Sequence, residues 1–163
     1  MIIVAIDVGK KGAIVIMNYT NGHPPMIESH KMPMLKNDKD YDIRAIKDLI
    51  LGSNADLIVA EDVHSIHMVS ARSNFTFGFG VGIVRGMIET SNISYQLVSP
   101  KTWQKEAWQG IRKVKDPKLN SQAAVHRLFP NVNLKASARC RVDHDGIVDA
   151  ILIGHYAYLK FRQ

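Results

Sequence analysis

The sequence predicts an α/β fold that opens with three antiparallel strands and continues with alternating helices and strands. Short runs rich in β-branched residues follow one another early in the chain, whereas later runs of this kind alternate with segments of helical spacing. The length of 163 residues fits one domain that can bury most of its apolar surface. With no repeat and no linker in the sequence, we expect residues 1–163 to form a single domain.

The first three elements are predicted to form an antiparallel meander. Residues 2–8 (IIVAIDV) and 12–18 (GAIVIMN) are β-rich runs on either side of GKKG, which is a hairpin signal. Residues 26–34 add a third strand that ends near Pro33. The chain then becomes polar over residues 35–42.

A helix, a strand and a second helix follow. Residues 43–52 (IRAIKDLILG) have helical spacing and a terminal glycine, and DLIVAEDV is a continuous apolar run typical of a strand covered on both faces. A polar stretch at 64–74 precedes an apolar helix at 75–90 that contains four glycines. Because each glycine costs a helix about 1 kcal/mol, we expect these glycines to pack closely against another backbone.

The last part of the chain ends in a helix. In chain order, the remaining segments are a strand at 93–100, a basic segment at 101–118 with both tryptophans, a short helix at 121–129, a loop at 131–142 and a helix at about 143–160. The tryptophans are more typical of a core or a lid than of a surface that stacks on bases.

The composition narrows the functional class. Lysine and arginine total 21 against 15 acidic residues, for a formal charge of +6, which is common in nucleic-acid binders but also occurs in ordinary basic proteins. Cys140 is the single cysteine, so no internal disulfide can form. No apolar run approaches the ~20 residues of a membrane span. We therefore expect an intracellular protein without a membrane segment.

Four carboxylates lie in apolar segments that are far apart in sequence, namely Asp7, Glu61, Asp145 and Asp149. Buried carboxylates need a partner, and a divalent metal can serve several at once. Asp145 and Asp149 are four residues apart, which places them about one turn apart on one helical face. In a basic chain without a glycine-rich phosphate loop, this pattern indicates a metal-dependent nuclease.

Some of these acids also have purely structural explanations. Asp7 could be a strand-end residue before a turn, and Asp145 could stabilise a helix N-terminus. Glu61 competes with Asp62, and because side chains alternate along a strand, only one of the two can join Asp7. Asp149 fits a structural role poorly because it lies beside the apolar sequence AILIG.

The motifs AIDVGKKGA, VAEDV, GFGVGIVRGM, VSPKTWQK and HDGIVDAILIG occur in an order that resembles the RuvC family of Holliday-junction resolvases, particularly its phage and viral members. The resemblance implies a ribonuclease H-like α/β fold, a mixed five-stranded sheet in which an antiparallel three-stranded meander joins parallel strands, flanked by helices. The resemblance favours Glu61 over Asp62 as the acid that joins Asp7. The last two acids of bacterial RuvC are three residues apart, whereas those of this chain are four apart. Asp143 or His144 could therefore still assist the metal site.

The resemblance also implies an activity. Asp7, Glu61, Asp145 and Asp149 would be catalytic metal ligands for Mg²⁺, with Mn²⁺ as a substitute and two ions per active site, which suits four hard oxygen donors. The enzyme would be an endodeoxyribonuclease that resolves four-way DNA junctions during recombination and repair, in the bacterial cytoplasm if the source is a phage. The alternatives are a non-catalytic junction-binding protein and a nucleotide-binding protein of the actin-like superfamily, although the latter needs a second domain.

Contacts with DNA are predicted from exposed cations and aromatic residues. The candidate cations are Lys10, Lys11, Lys101, Lys105, Arg112, Lys113 and Lys115. Each could equally belong to an ordinary solvated surface. Phe75 and Phe77 follow the loop after Glu61, where the RuvC family places an aromatic residue that wedges into the junction.

A four-way junction has two-fold symmetry, so a homodimer is the expected assembly. The helix at 78–91 is the candidate interface because Gly78, Gly82 and Gly86 recur every four residues and would let two helices approach. The alternative is that these glycines pack against the sheet of their own chain.

Overall fold

A computed structural model describes residues 1–20, 22–36, 39–64 and 70–162. In chain order, its elements are β1 (Ile2–Asp7), β2 (Ala13–Asn18), β3 (Met26–Lys31), α1 (Ile43–Leu51), β4 (Leu57–Glu61), α2 (Ala71–Glu89), β5 (Tyr95–Val98), α3 (Pro100–Ala107), α4 (Pro117–Leu128) and α5 (Asp145–Phe161). Parts of the predicted polar stretches, residues 37–38 and 65–69, lie outside the described residues. Within the described part, no helix is long and apolar enough to cross a membrane.

The five strands form one mixed sheet in the order β3-β2-β1-β4-β5. The first three strands are the predicted antiparallel meander, and β4 and β5 continue it in parallel with β1. Ile6 of β1 pairs with Ala60 of β4. Because these strands run in the same direction, Asp7 and Glu61 end their strands at the same edge of the sheet. The predicted fold class is confirmed.

Helices cover both faces of the sheet. Side chains alternate along β1, so that Ile3 and Ala5 join the core formed with α3, α4 and α5, whereas Val4 and Ile6 join the core formed with α1 and α2. All four side chains are fully buried. This two-sided burial explains why β1 and β4 have continuous apolar sequences rather than alternating ones.

Three helices start where apolar spacing did not indicate them. The helix α2 begins at Ala71, four residues before the predicted start, because the Ser70 hydroxyl accepts a hydrogen bond from the Ser73 amide. The helix α4 begins at Pro117 rather than at 121, and the Asp116 side chain caps it. The helix α3 was not predicted, although Pro100 in its first turn is a typical helix start. The capped first turns of α2 and α4 are polar, so apolar periodicity does not reveal them.

Two other elements are shorter than predicted. The strand β3 ends at Lys31 instead of residue 34. The Met32 amide still donates to the Gly12 carbonyl at 2.9 Å, but Pro33 follows and has no amide hydrogen with which to continue the ladder. The helix α5 begins at Asp145 rather than 143, with His144 as its cap.

Candidate active site

The first two candidate acids extend from neighbouring strands onto the same face of the sheet. Asp7 lies two residues after Ala5, and Glu61 lies two residues after Val59, so both side chains point to the face that α5 covers. The next residue, Asp62, points to the opposite face, where it lies 3.8 Å from Arg85. Strand alternation therefore separates Glu61 from Asp62 as expected.

The helix α5 brings Asp145 and Asp149 over this edge of the sheet. It packs across β1 and β2, and its first turn lies against the hairpin that follows Asp7. A Cβ atom on Gly146 would lie only 2.4 Å from the Lys11 carbonyl oxygen and 2.7 Å from Gly12. Only glycine permits this approach without a shift of the backbone, so Gly146 fixes the distance between the helix start and the hairpin.

The four carboxylates influence one another electrostatically. Burial raises the pKa of Asp7 well above its ordinary value, and Glu61, Asp149 and Asp145 raise it further in that order. Burial likewise raises the pKa of Asp149 to about 6. Among the described residues, no cation opposes the shift at Asp7. The cluster therefore holds more negative charge than its surroundings neutralise.

Two neighbours outside the predicted site contact these acids. The indole Nε1 of Trp103 donates to Glu61 Oε1 at 2.9 Å, and the Lys118 ammonium lies 2.5 Å from Asp145 Oδ2. Burial raises the pKa of Glu61, and the bond from Trp103 partly offsets that rise. Lys118 belongs to the basic segment 101–118, but no local pattern distinguishes it from the other cations of that segment.

Ser121 of α4 is a third neighbour that the sequence analysis missed. Its hydroxyl hydrogen-bonds to Asp149 and lowers the pKa of that carboxyl against the larger effect of burial. Ser121 is almost fully buried, at 3% exposure. A serine within a helix carries no sequence signal of such a role, because its partner lies on another element.

The donor set suits a hard divalent cation. It consists of carboxylate oxygens, and burial disfavours the negative charge of both Asp7 and Asp149. Within the described residues, no three acidic, histidine or cysteine side chains lie close enough together to enclose an ion. Among the described residues, Trp103 contacts Glu61 and Lys118 contacts Asp145.

Asp143 and His144 have other contacts. The Asp143 carboxylate accepts a hydrogen bond from His126 Nε2 at 2.8 Å. The His144 ring caps α5, since its Nδ1 accepts from the Ile147 amide at 3.3 Å. Burial lowers the pKa of His144, so it favours the neutral ring that this cap requires.

The cations predicted to contact DNA are all exposed. The exposed cations are Lys10 and Lys11 in the hairpin, Lys101 and Lys105 on α3, and Arg112, Lys113 and Lys115 in the segment before α4. Lys10 also donates to the Lys39 carbonyl. Lys10 and Lys11 therefore follow Asp7 in the hairpin, and Lys101 and Lys105 lie on the helix whose Trp103 contacts Glu61.

The aromatic candidates at the start of α2 differ in exposure. Phe75 is 76% exposed, whereas the Phe77 ring packs beside Gly9 of the hairpin. Phe79 remains 52% exposed, and its ring centroid lies 6.4 Å from that of Tyr41. Helix packing therefore engages Phe77 more than Phe75, and Phe79 combines an exposed ring with a contact to Tyr41.

The glycines of α2 fall into two groups. A Cβ on Gly80 would collide with Tyr41, so only this glycine is needed for packing within the chain. At Gly78, Gly82 and Gly86, a Cβ would meet nothing within 4 Å. Within the described residues, these three do not pack against their own sheet, so the alternative of intrachain packing does not account for them.

No protein-family profile matches this sequence, and no curated protein does. Solved structures do match. Thermus thermophilus RuvC in complex with a Holliday junction substrate has a TM-score of 0.64 at 12% identity, over 96% of this chain and 92% of that chain. Another structure of Thermus thermophilus RuvC has a TM-score of 0.61 at 14% identity, over 98% and 96% of the two chains.

A viral protein matches over its full length. The Fowlpox virus resolvase, solved with its substrate Holliday junction DNA, has a TM-score of 0.61 at 18% identity and covers 100% of both chains. At these identities the similarity establishes the architecture. The chain therefore has the ribonuclease H-like fold of the RuvC-type resolvases.

Proposed function

We propose that this chain is a metal-dependent endonuclease that resolves four-way DNA junctions by paired phosphodiester cuts. The observation that carries the proposal is the convergence of Asp7, Glu61, Asp145 and Asp149, from two parallel strands and one helix, at one edge of the sheet. Residues 1–163 would act as one nuclease domain. An intracellular setting would suit the single free cysteine, Cys140.

The four acids would serve as ligands for Mg²⁺ or Mn²⁺, with two ions per site. Bound there, the ions would activate a water molecule and stabilise the leaving 3′ oxygen. Asp7 is the natural shared ligand because the other three acids all act on its pKa. Gly146 would keep the acids of α5 close to Asp7.

The exposed cations would hold the phosphate backbone beside the acids. Lys10 and Lys11 lie in the hairpin directly after Asp7, and Lys101 and Lys105 lie on the helix that carries Trp103. Such contacts supply affinity without sequence preference. Phe75 is the better candidate for a wedge into the junction, because its ring is largely exposed whereas Phe77 packs beside the hairpin.

A homodimer would place two such sites on the two strands that must be cut. Gly78, Gly82 and Gly86 recur along one side of α2 and have open space beside them, and Phe75 and Phe79 extend the same side with exposed rings. An exposed stripe of this kind permits close approach of a second helix. We propose that α2 pairs with α2 of a second copy in an isologous interface.

The test is the cutting of a synthetic four-way junction compared with a linear duplex of the same sequence in Mg²⁺. Asp7→Asn and Glu61→Gln keep the side-chain shape but remove a charge, so both should lose at least about 100-fold in rate and retain junction binding. Asp62→Asn is the matched control, since this carboxylate neighbours Glu61 in sequence and points to the other face. It should cut at close to the normal rate.

Three results would contradict the proposal. Cutting by the Asp7→Asn variant at more than a few per cent of the normal rate would remove Asp7 from the site. Cutting in excess EDTA would exclude a metal mechanism. Binding of the junction without cutting in any divalent metal would favour the alternative of a non-catalytic junction-binding protein.

A further inference from the structure

Trp103 is a fully buried side chain whose polar atom contacts a candidate metal ligand. Its exposure is 0%, and its indole N–H donates to Glu61 Oε1 at 2.9 Å. Tryptophan has one side-chain donor and no acceptor, so the direction of this bond is unambiguous. An indole N–H buried without a partner would be costly, so the bond constrains both side chains.

The contact follows from the way that three elements meet. Glu61 is the last residue of β4 and pairs with Val98, the last residue of β5. The helix α3 begins two residues later at Pro100, so its first turn stands over the ends of both strands. Trp103 lies in this turn, and its ring enters the core on the α5 side of the sheet. That is the face on which Glu61 and Asp7 lie.

We propose that Trp103 is a positioning residue that holds the Glu61 carboxylate in the orientation in which it binds the metal ion. The inference rests on the proposed function. The bond engages one carboxylate oxygen, Oε1, and leaves the other for an ion. Because an indole is neutral, it orients the carboxylate without neutralising the charge that attracts a cation. A lysine in the same place would compete with the ion, as Lys118 would at Asp145.

The other tryptophan, Trp108, contacts a neighbour of the acids rather than an acid, and it therefore serves as a comparison. The Trp108 Nε1 donates to Ser121 Oγ at 3.3 Å, and it is Ser121 that contacts Asp149. This bond is longer than the one to Glu61 and ends on a hydroxyl group. Trp108→Phe should therefore weaken metal binding less than Trp103→Phe does.

The test is divalent-ion binding by the full chain, measured by calorimetry with Mg²⁺ and with Mn²⁺. Trp103→Phe keeps an aromatic ring in the core and removes the N–H. Loss of a hydrogen bond that orients a metal ligand costs about 10- to 100-fold in affinity, so we expect at least tenfold weaker binding. The Mg²⁺ concentration for half-maximal cutting should rise by the same factor, and excess Mg²⁺ should largely restore the rate.

A packing control separates positioning from stability. Ile3→Val also removes volume from the core shared with Trp103, but Ile3 lies at the other end of β1 and touches none of the acids. It should lower the melting temperature without changing ion affinity. In a Glu61→Gln background, Trp103→Phe should have no further effect on affinity, because the carboxylate through which it acts is gone.

A spectroscopic measurement reports on the contact directly. Trp108→Phe leaves Trp103 as the only tryptophan, so its fluorescence should change as Mg²⁺ binds, and Glu61→Gln should remove that change. Unaltered ion affinity in Trp103→Phe, together with a lower melting temperature like that of Ile3→Val, would overturn the inference and leave Trp103 as a packing residue. Absence of ion binding in the wild-type chain would instead overturn the proposed function.

Discussion

Replacing Asp149 with asparagine should make the metal-free protein more stable, although the same change should abolish cutting. Burial raises the pKa of Asp149 from 3.8 to about 6, with smaller contributions from Glu61 and Asp145. The folded protein therefore binds a proton at Asp149 more tightly than the unfolded chain does. Above about pH 6 the ionised carboxylate destabilises the fold by the full amount, and below about pH 4 both states are protonated and the cost vanishes.

The expected size follows from that shift. One pKa unit corresponds to about 1.4 kcal/mol, so the shift from 3.8 to about 6 costs the folded state about 3 kcal/mol at pH 8. Asparagine has nearly the shape of the neutral acid and can still accept a hydrogen bond from Ser121. A chain of this size shifts its melting temperature by about 2–4 °C per kcal/mol. We therefore expect Asp149→Asn to melt about 6–12 °C higher than the wild type in EDTA at pH 8.

The assay is thermal unfolding followed by circular dichroism in EDTA at pH 8 and at pH 4. The gain in melting temperature should be present at pH 8 and nearly absent at pH 4. Mg²⁺ should stabilise the wild type more than the variant. Asp62→Asn is the control, since its exposed pair with Arg85 contributes little. The reasoning that an uncompensated buried charge destabilises this site would be refuted by either of two results. One is a variant that is no more stable than the wild type at pH 8, and the other is a variant that is stabilised as much at pH 4 as at pH 8.

Four further predictions concern packing, assembly, DNA and metal. Gly146→Ala should destabilise the protein by about 1–3 kcal/mol in denaturant unfolding, because its Cβ meets the hairpin backbone; unchanged stability would contradict this reasoning. Sedimentation should give about twice the 18.3 kDa chain mass, and Gly82→Leu should weaken both self-association and paired nicking; a dimeric Gly82→Leu with normal paired cuts would move the interface elsewhere. Phe75→Ala should slow cutting of junctions several-fold more than Phe79→Ala does, and equal rates would remove Phe75 as the wedge. Mg²⁺ and Mn²⁺ should support cutting, whereas Ca²⁺ should support junction binding without efficient cutting; rapid cutting in Ca²⁺ would argue against a site of strict geometry.

Several features of the fold could be predicted because they are local. The alternation of apolar runs and the turn sequence GKKG indicated the hairpin of β1 and β2, and the continuous run before Glu61 indicated a strand covered on both sides. The spacing of Asp145 and Asp149 put them on one face of a helix. Helix starts at Ala71 and Pro117 were missed because their first turns are polar and are set by a cap.

The carboxylates held in apolar segments can be identified from the amino-acid sequence alone, because a charged residue inside such a segment is visible without any structure. That Asp7 and Glu61 share a face cannot be identified in this way, because it depends on the register in which Ile6 pairs with Ala60. The contacts of Trp103 with Glu61, across 42 residues, and of Lys118 with Asp145, across 27, likewise arise only when the chain folds. A local pattern reports the period and burial of one element, whereas contacts between elements follow from how the whole chain packs.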